Sequence, residues 1–292
     1  MLNFRLSGIC HLPNNSSAYF CRMMKLILAG VLLMISIIAC NNQNHTNKNG
    51  EIAAESSAAR EKILKDSIAK FPELLLLKEQ LIQFYRDSAD FDKAIATVDQ
   101  ALRTDSLNDR LWNIKAILHF ENEDTVNSIR SFENALLINP SPRYLIFLGT
   151  LYAQTKDLRV HRIVEALLNS KQPETEKEAY FILGLFYNYS GDKINAISAL
   201  DKCLSLDSRY MFAYREKGIA LYDMGKYEDA VTVLDKAVTL QNSFEEGYYW
   251  LGRCLEKLNK PNDAIEEYKM ALLYANNDYP EAKDALARLG VK

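Results

Sequence analysis

Cysteine, histidine and tryptophan are scarce in this chain, with five, four and two copies among 292 residues. Cys10 and Cys21 fall within the first 22 residues, and the remaining Cys40, Cys203 and Cys254 show no paired spacing. With His45, His119 and His161 they form no cluster at metal-ligand spacing, so no metal is expected. The chain also lacks a glycine-rich phosphate loop after a strand and a Gly-x-Ser-x-Gly elbow for a nucleophile. No catalytic constellation remains, and the expectation is a protein that is not an enzyme and takes no cofactor. A basic excess is missing too. The net charge is −3, and residues 1–40 hold Arg5, Arg22 and Lys25 with no acid, which leaves 32 basic against 38 acidic residues elsewhere, a balance of −6. That excludes the electrostatic footprint of a nucleic-acid binder.

What the chain has instead is a period. Ala94, Ser128, Ala196, Ala230 and Ala264 are separated by 34, 68, 34 and 34 residues, and His161 stands in the missing place. A second column of mostly small residues lies seven positions on, at Ala101, Ala135, Leu168, Cys203, Ala237 and Ala271. A third lies twelve before, at Ile82, Ala116, Gly149, Gly184, Gly218 and Gly252. Glycine costs a helix about 1 kcal/mol relative to alanine, so four glycines in one column predict that two helix backbones approach closely there. Tyr180, Leu183 and Tyr187, then Ile197, Leu200 and Leu204, follow the spacing of one helical face. Each repeat is therefore two antiparallel amphipathic helices joined by a short turn, able to bury its apolar face only by stacking on neighbours. In such an array Cys203 and Cys254 read as buried hydrophobes, because a disulfide between them would span a whole repeat. Glu245-Glu246 and Glu266-Glu267 read as solvated faces or helix-start charges.

These residues carry a family resemblance. The stretch Ala179 to Tyr187, followed by Gly191-Asp192 and Ala196-Ile197, resembles a tetratricopeptide repeat. So do Tyr248 to Leu255 with Ala264, and Trp112 to His119 with Phe132, Ala135 and Pro140. Six units fit, starting near Leu75, Asp109, Pro142, Lys177, Met211 and Glu245. The resemblance implies an all-α, right-handed α-solenoid over 75–278. The third unit departs from the pattern, with His161 and Glu165 where small and apolar residues belong, and predicts a slipped or poorly packed second helix. Gly191 and Gly225 suit the turn inside a repeat, whereas Ala89, Glu123, Lys156 and Asn259 occupy that place less comfortably.

The ends read differently. Residues 1–22 have no periodic apolar pattern and are either a start-site extension or a cytoplasmic one, since Met23-Met24-Lys25 looks like a translation start. Arg22 and Lys25 precede fourteen uncharged residues, Leu26 to Ala39, short of the roughly 20 a membrane span needs. Residues 23–39 thus read as a signal peptide. Ile37-Ile38-Ala39-Cys40 resembles a bacterial lipobox, which implies that Cys40 is lipidated as the first mature residue; the competing reading is an uncleaved anchor with an incidental cysteine. Residues 40–52, with five asparagines between Asn41 and Gly50, form a polar tether without an acidic cluster after Cys40, which favours a periplasm-facing site. Residues 53–74 supply an N-terminal capping helix with Ile63, Leu64, Ser67 and Ile68 on one side, and 279–292 a C-terminal one.

In the family the first helix of each unit lines the concave surface. By that resemblance the protein-binding groove consists of Ile117, Phe120, Ile146, Thr150, Phe181, Leu185, Tyr189, Phe212, Arg215, Ile219, Tyr222, Tyr249, Arg253 and Lys257. The other reading of these side chains is contact with adjacent repeats. The carboxylate clamp of chaperone-binding relatives is missing, because its slots hold Gln83, Ile114, Ile117, Phe147 and Thr150. Apolar grip on a peptide, with Arg215, Arg253 and Lys257 engaging an acidic flank, is the implied binding mode. The function expected is a non-enzymatic protein–protein interaction scaffold tethered to a bacterial envelope membrane, or else an adaptor for one peptide.

Overall fold

The computed structural model describes residues 49–291, and the leader, Cys40 and the tether up to residue 48 lie outside them. All regular structure among the described residues is helical, and these residues fall into two compact units divided after residue 97.

The first unit contains α1 (Asn49–Lys70), α2 (Leu75–Asp87) and the start of α3 (Phe91–Thr104). Helix α1, at the place of the expected capping helix, begins at Asn49 rather than at residue 53, so it takes in the end of the expected tether. Leu64, Ser67 and Ile68 are half-buried, but Ile63 is 65% exposed and leaves the predicted face. Glu61 takes the turn below Leu64 instead, accepting from Tyr85 Oη at 2.7 Å and Lys65 Nζ at 2.6 Å. These bonds hold the Glu61 carboxyl below its ordinary range.

The second unit begins with the end of α3 and continues as helix pairs: α4 (Asp109–Glu121) with α5 (Thr125–Ile138), α6 (Pro142–Gln154) with α7 (Val160–Asn169), α8 (Pro173–Ser190) with α9 (Lys193–Leu206), α10 (Met211–Asp223) with α11 (Tyr227–Leu240), and α12 (Glu245–Lys257) with α13 (Pro261–Tyr274). The short α14 (Pro280–Arg288) follows and packs on α13. Local chemistry sets the starts. Asn108, Asp124 and Asp192 are N-caps whose side-chain oxygens accept from the backbone N–H three residues on. Turns inside the repeats need a left-handed residue, and every position named from the period supplies one: Ala89, Glu123, Lys156 and Asn259 have φ of 54 to 60°, beside Gly191 at 89° and Gly225 at 75°.

The period's small slots are the core. Ser128, Ala196, Ala230 and Ala264 are fully buried, and Ser128 Oγ donates to Ala116 O at 2.8 Å, linking the two helices of its repeat. The glycine column works differently from the expectation. A Cβ on Gly184 would stand 2.7 Å from Leu200 Cγ, and one on Gly252 would stand 2.6 Å from Tyr268 Cε1. The missing side chain makes room for a large partner side chain, not for a neighbouring backbone.

The third repeat corrects the sequence reading by one residue. Val160, not His161, fills the buried slot, and Leu167, not Leu168, is the buried residue seven positions later; His161 and Glu165 are exposed. Helix α7 has 10 residues where its counterparts have 14, while α8 extends to 18 by starting at Pro173 rather than near Lys177. Arg159 explains the short start. Its guanidinium lies 4.4 Å from the Tyr152 ring and pairs with Asp157 and Glu133 at 2.6 and 2.5 Å, so the chain reaches α7 through a pinned turn in place of a first helical turn.

Candidate interaction site on the first helices

The first helices are the more deeply embedded of each pair: α10 and α12 bury nine and eight residues, against four in α11. That burial sorts the predicted groove. Ile117, Phe120, Thr150, Phe181, Leu185, Arg215, Ile219 and Tyr249 are buried in the stack and do not form an open surface. Contact with adjacent repeats accounts for them, as Phe181 illustrates by meeting the Tyr210 ring at 5.0 Å. Ile146, Tyr189, Phe212, Tyr222 and Arg253 are half-buried and Lys257 is exposed, so these six keep a face toward solvent.

Arg215 is the largest correction. At 1% exposure it cannot reach an acidic flank, because it is the hub of a buried ionic network. Its Nη1 donates to Glu246 Oε2 at 2.5 Å, and Nε and Nη2 donate to Glu216 Oε1 at 3.0 and 2.7 Å. Asn188 Nδ2 donates to the backbone oxygen of Glu216 at 3.0 Å. Side chains from α8, α10 and α12 are thereby locked across three successive repeats. Burial works to lower the Arg215 pKa, but Glu246 and Glu216 outweigh it and raise it above the ordinary guanidinium value. Of the two readings of Glu246, the solvated face fails, since the residue is 2% exposed, while its place in the first turn of α12 fits a helix-start charge. Removing one partner of such a buried set typically costs about 3–5 kcal/mol.

Arg253 sits in a different setting. Its Cζ lies 5.1 Å from the Tyr222 ring, 5.1 Å from Trp250 and 5.9 Å from Tyr249. Nη2 donates to Tyr222 Oη at 3.1 Å and Nη1 to Tyr249 Oη at 3.3 Å. The guanidinium is thus fixed by rings on α10 and α12. Sequence reasoning named Tyr222, Tyr249 and Arg253 but missed Trp250, Glu216, Glu246 and Asn188; the run Tyr248-Tyr249-Trp250 beside an arginine was the available signal.

Other titratable groups behave as packing. Cys203 and Cys254 are fully buried, unbridged, and have their thiols pushed up to about 12 by burial. Burial likewise raises the Glu178 carboxyl, which accepts from Tyr210 Oη at 2.8 Å. Among the described residues no group of three or more His, Cys, Asp or Glu could hold a metal ion, and no helix is long and apolar enough to cross a membrane.

Stacked helix pairs joined by left-handed turns, with small residues in register and a partly open first-helix face, define an all-α solenoid of the kind that binds other proteins. Three profiles described as tetratricopeptide repeat match residues 81–143, 177–210 and 221–289. The chain belongs to the tetratricopeptide repeat family, and its repeats mark it as a protein–protein interaction scaffold. The irregular stretch 144–176 falls between the first two matches. No curated protein matches the sequence. Among solved structures, a tetratricopeptide repeat protein from Parabacteroides merdae ATCC 43184 is similar at 19% identity over 82% of this chain and 94% of that one, with a TM-score of 0.66. PilW, described as a widely conserved type IV pilus biogenesis factor, is similar at 19% identity, over 72% and 97%, with a TM-score of 0.57. A thermophilic tetratricopeptide repeat protein from Thermus thermophilus gives 18%, 62% and 97%, and 0.52. Likeness at these identities establishes the fold alone.

Proposed function

We propose that the chain is a lipid-tethered scaffold of a bacterial cell envelope, holding partner proteins or peptides through the open face of its first helices and performing no chemistry on them. The observation that carries the tether is Ile37-Ile38-Ala39-Cys40 directly after the uncharged run Leu26 to Ala39. Acyl chains on Cys40 would anchor the protein at about 0.8 kcal/mol per buried CH₂, and the polar residues that follow would serve as the tether between lipid and repeats. The absence of an acidic cluster after Cys40 favours the periplasmic side.

Binding is supported by the half-buried Phe212, Tyr222 and Arg253. Each is already fixed by neighbours: Phe212 packs edge-on to Tyr210 and Phe244, and Tyr222 packs edge-on to Tyr227 and Trp250. Docking there would cost little further side-chain entropy, which otherwise adds about 0.5–1.5 kcal/mol per side chain ordered at an interface. Cross-linking in native membranes followed by mass spectrometry tests the whole reading. Wild-type protein is expected to capture partners that a Cys40→Ser form, released from the membrane, does not; an identical partner list for the two would make the anchor dispensable.

A further inference from the structure

We infer that the first unit lies against the lipid surface that anchors it, through Ile63 and the apolar turn from Phe71 to Leu76, a reading that rests on the lipid tether proposed above and adds a second contact to it. Ile63, Phe71, Leu74 and Leu76 are 48 to 65% exposed. They belong to one continuous edge. Phe71 N donates to Ser67 O at 2.9 Å and Leu74 N to Phe71 O at 3.1 Å, so α1 runs through a single tight turn into α2. Arg60, Ile63, Ser67, Lys70 and Phe71 recur at the three- to four-residue spacing of one helical face. Beside them runs the half-buried stripe of Glu61, Leu64 and Ile68, which meets α2 through the bond from Tyr85 to Glu61.

The repeat pattern does not call for an apolar turn here. The residues 34, 68, 136 and 170 positions after Phe71 are Asp105, Asn139, Asp207 and Gln241, the polar chemistry usual between repeats. Terminal elements of a stacked array ordinarily present a polar outer face, and α14 obeys: it buries Ala282, Ala285 and Leu286 and exposes Lys283, Asp284 and Arg288. The first unit does the opposite.

A bilayer is the occupant its surroundings favour. Asn49 opens α1 nine residues after Cys40, a span that backbone can stretch to about 30 Å, whereas Ile63 lies only about 21 Å along the helix from Asn49. The tether is therefore long enough for α1 to lie down beside its anchor. Exposed Arg60, Lys62, Lys65 and Lys70 outnumber the exposed acids Asp66 and Glu73 around the patch. Cations bordering exposed apolar side chains suit an anionic interface, where the long stems lie along apolar surface and the charges sit among headgroups. A second copy docked by two-fold symmetry would instead set these cations against themselves. Because the anchor makes the contact intramolecular, a weak partition of four side chains suffices.

The test uses the full chain, expressed with its leader and reconstituted into vesicles of phosphatidylethanolamine and phosphatidylglycerol. An environment-sensitive fluorophore is placed on Leu74→Cys and, for comparison, on Asp87→Cys at the far end of α2, about 18 Å away; Cys203 and Cys254 are buried, and peptide mapping confirms the labelled position. Lipid spin-labelled in its acyl chain is expected to quench the Leu74 label at least threefold more than the Asp87 label. Ile63→Ser combined with Phe71→Ser should cut the Leu74 quenching by twofold or more. If that double variant melts early, the comparison of Leu74 with Asp87 decides alone. Equal quenching at the two labels, or quenching unchanged in a stably folded double variant, overturns the contact. A disulfide-linked dimer of Leu74→Cys in place of quenching assigns the patch to a second copy and overturns it as well. Mass spectrometry of Cys40 reads the tether separately: acylated protein with equal labels leaves the tether standing without the contact, whereas an unacylated Cys40 sinks the tether and the contact that rests on it.

Discussion

At the turn inside each repeat one residue must enter the left-handed region, and this chain meets that demand with side chains that dislike it. Alanine, glutamate and lysine stand there at positions 89, 123 and 156, where an L-residue is disfavoured by roughly 1–2 kcal/mol. Glu123→Gly should therefore raise stability by about 0.5–1 kcal/mol after glycine's own entropy cost, read as a higher urea midpoint with unchanged slope. Gly191→Ala should lower it by a similar amount. His119 gives a pH-dependent case. Burial lowers its pKa, Lys115 adds to this, and Asp124 at 3.2 Å and Asp99 partly oppose it. A base whose folded pKa is depressed contributes stability that is complete above about pH 6.5, its unfolded value, and is lost as pH falls toward the folded one. The thermal midpoint should drop between pH 6.5 and 5.5 by more in the parent than in His119→Tyr. The turn residues were legible because they follow a period. Glu246 was not, because its burial is decided by Arg215, 31 residues earlier.

At the scale of helices, the notches cut by glycine are the sensitive points. Gly184→Ala places a methyl 2.7 Å from two atoms of Leu200 and should cost about 1–3 kcal/mol, as overpacking does. Adding Leu200→Ala should make the pair less destabilised than the two single changes summed, and a double-mutant cycle by chemical denaturation measures that coupling. Helix number and pairing were readable from the columns at Gly184, Ala196 and Cys203, since the spacing alone fixes which faces meet. The bounds of α7 and α8 were not. They depend on Arg159 lying across Tyr152 and binding Asp157 and Glu133, a cluster drawn from two repeats that no local pattern announces.

For the molecule as a whole, the period gave the fold class while the open face had to wait for coordinates. Phe181 and Tyr222 look alike in sequence, yet one is buried and the other half-open, because exposure depends on what the next repeat places opposite. In stacked repeats, stability is approximately a sum of each unit's own term and its contacts with the next. The second unit's terms are unequal. Helix α7 is four residues shorter than its counterparts and its N-cap Arg159 makes no side-chain cap bond, although Ser170 Oγ donates to Leu167 O at 2.7 Å at its other end, whereas three repeats further on are tied by the Arg215 network. Native-state hydrogen exchange should show α7 amides opening before those of α10 and α12; equal protection would contradict this.

The four-residue deficit in α7 also bears on how the array yields under load. When the repeats of the second unit are pulled apart, a column of unequal joints parts first at its weakest, so residues 160–169 would act as a mechanical fuse, letting the flanking pairs survive a tug that would otherwise unravel them one by one.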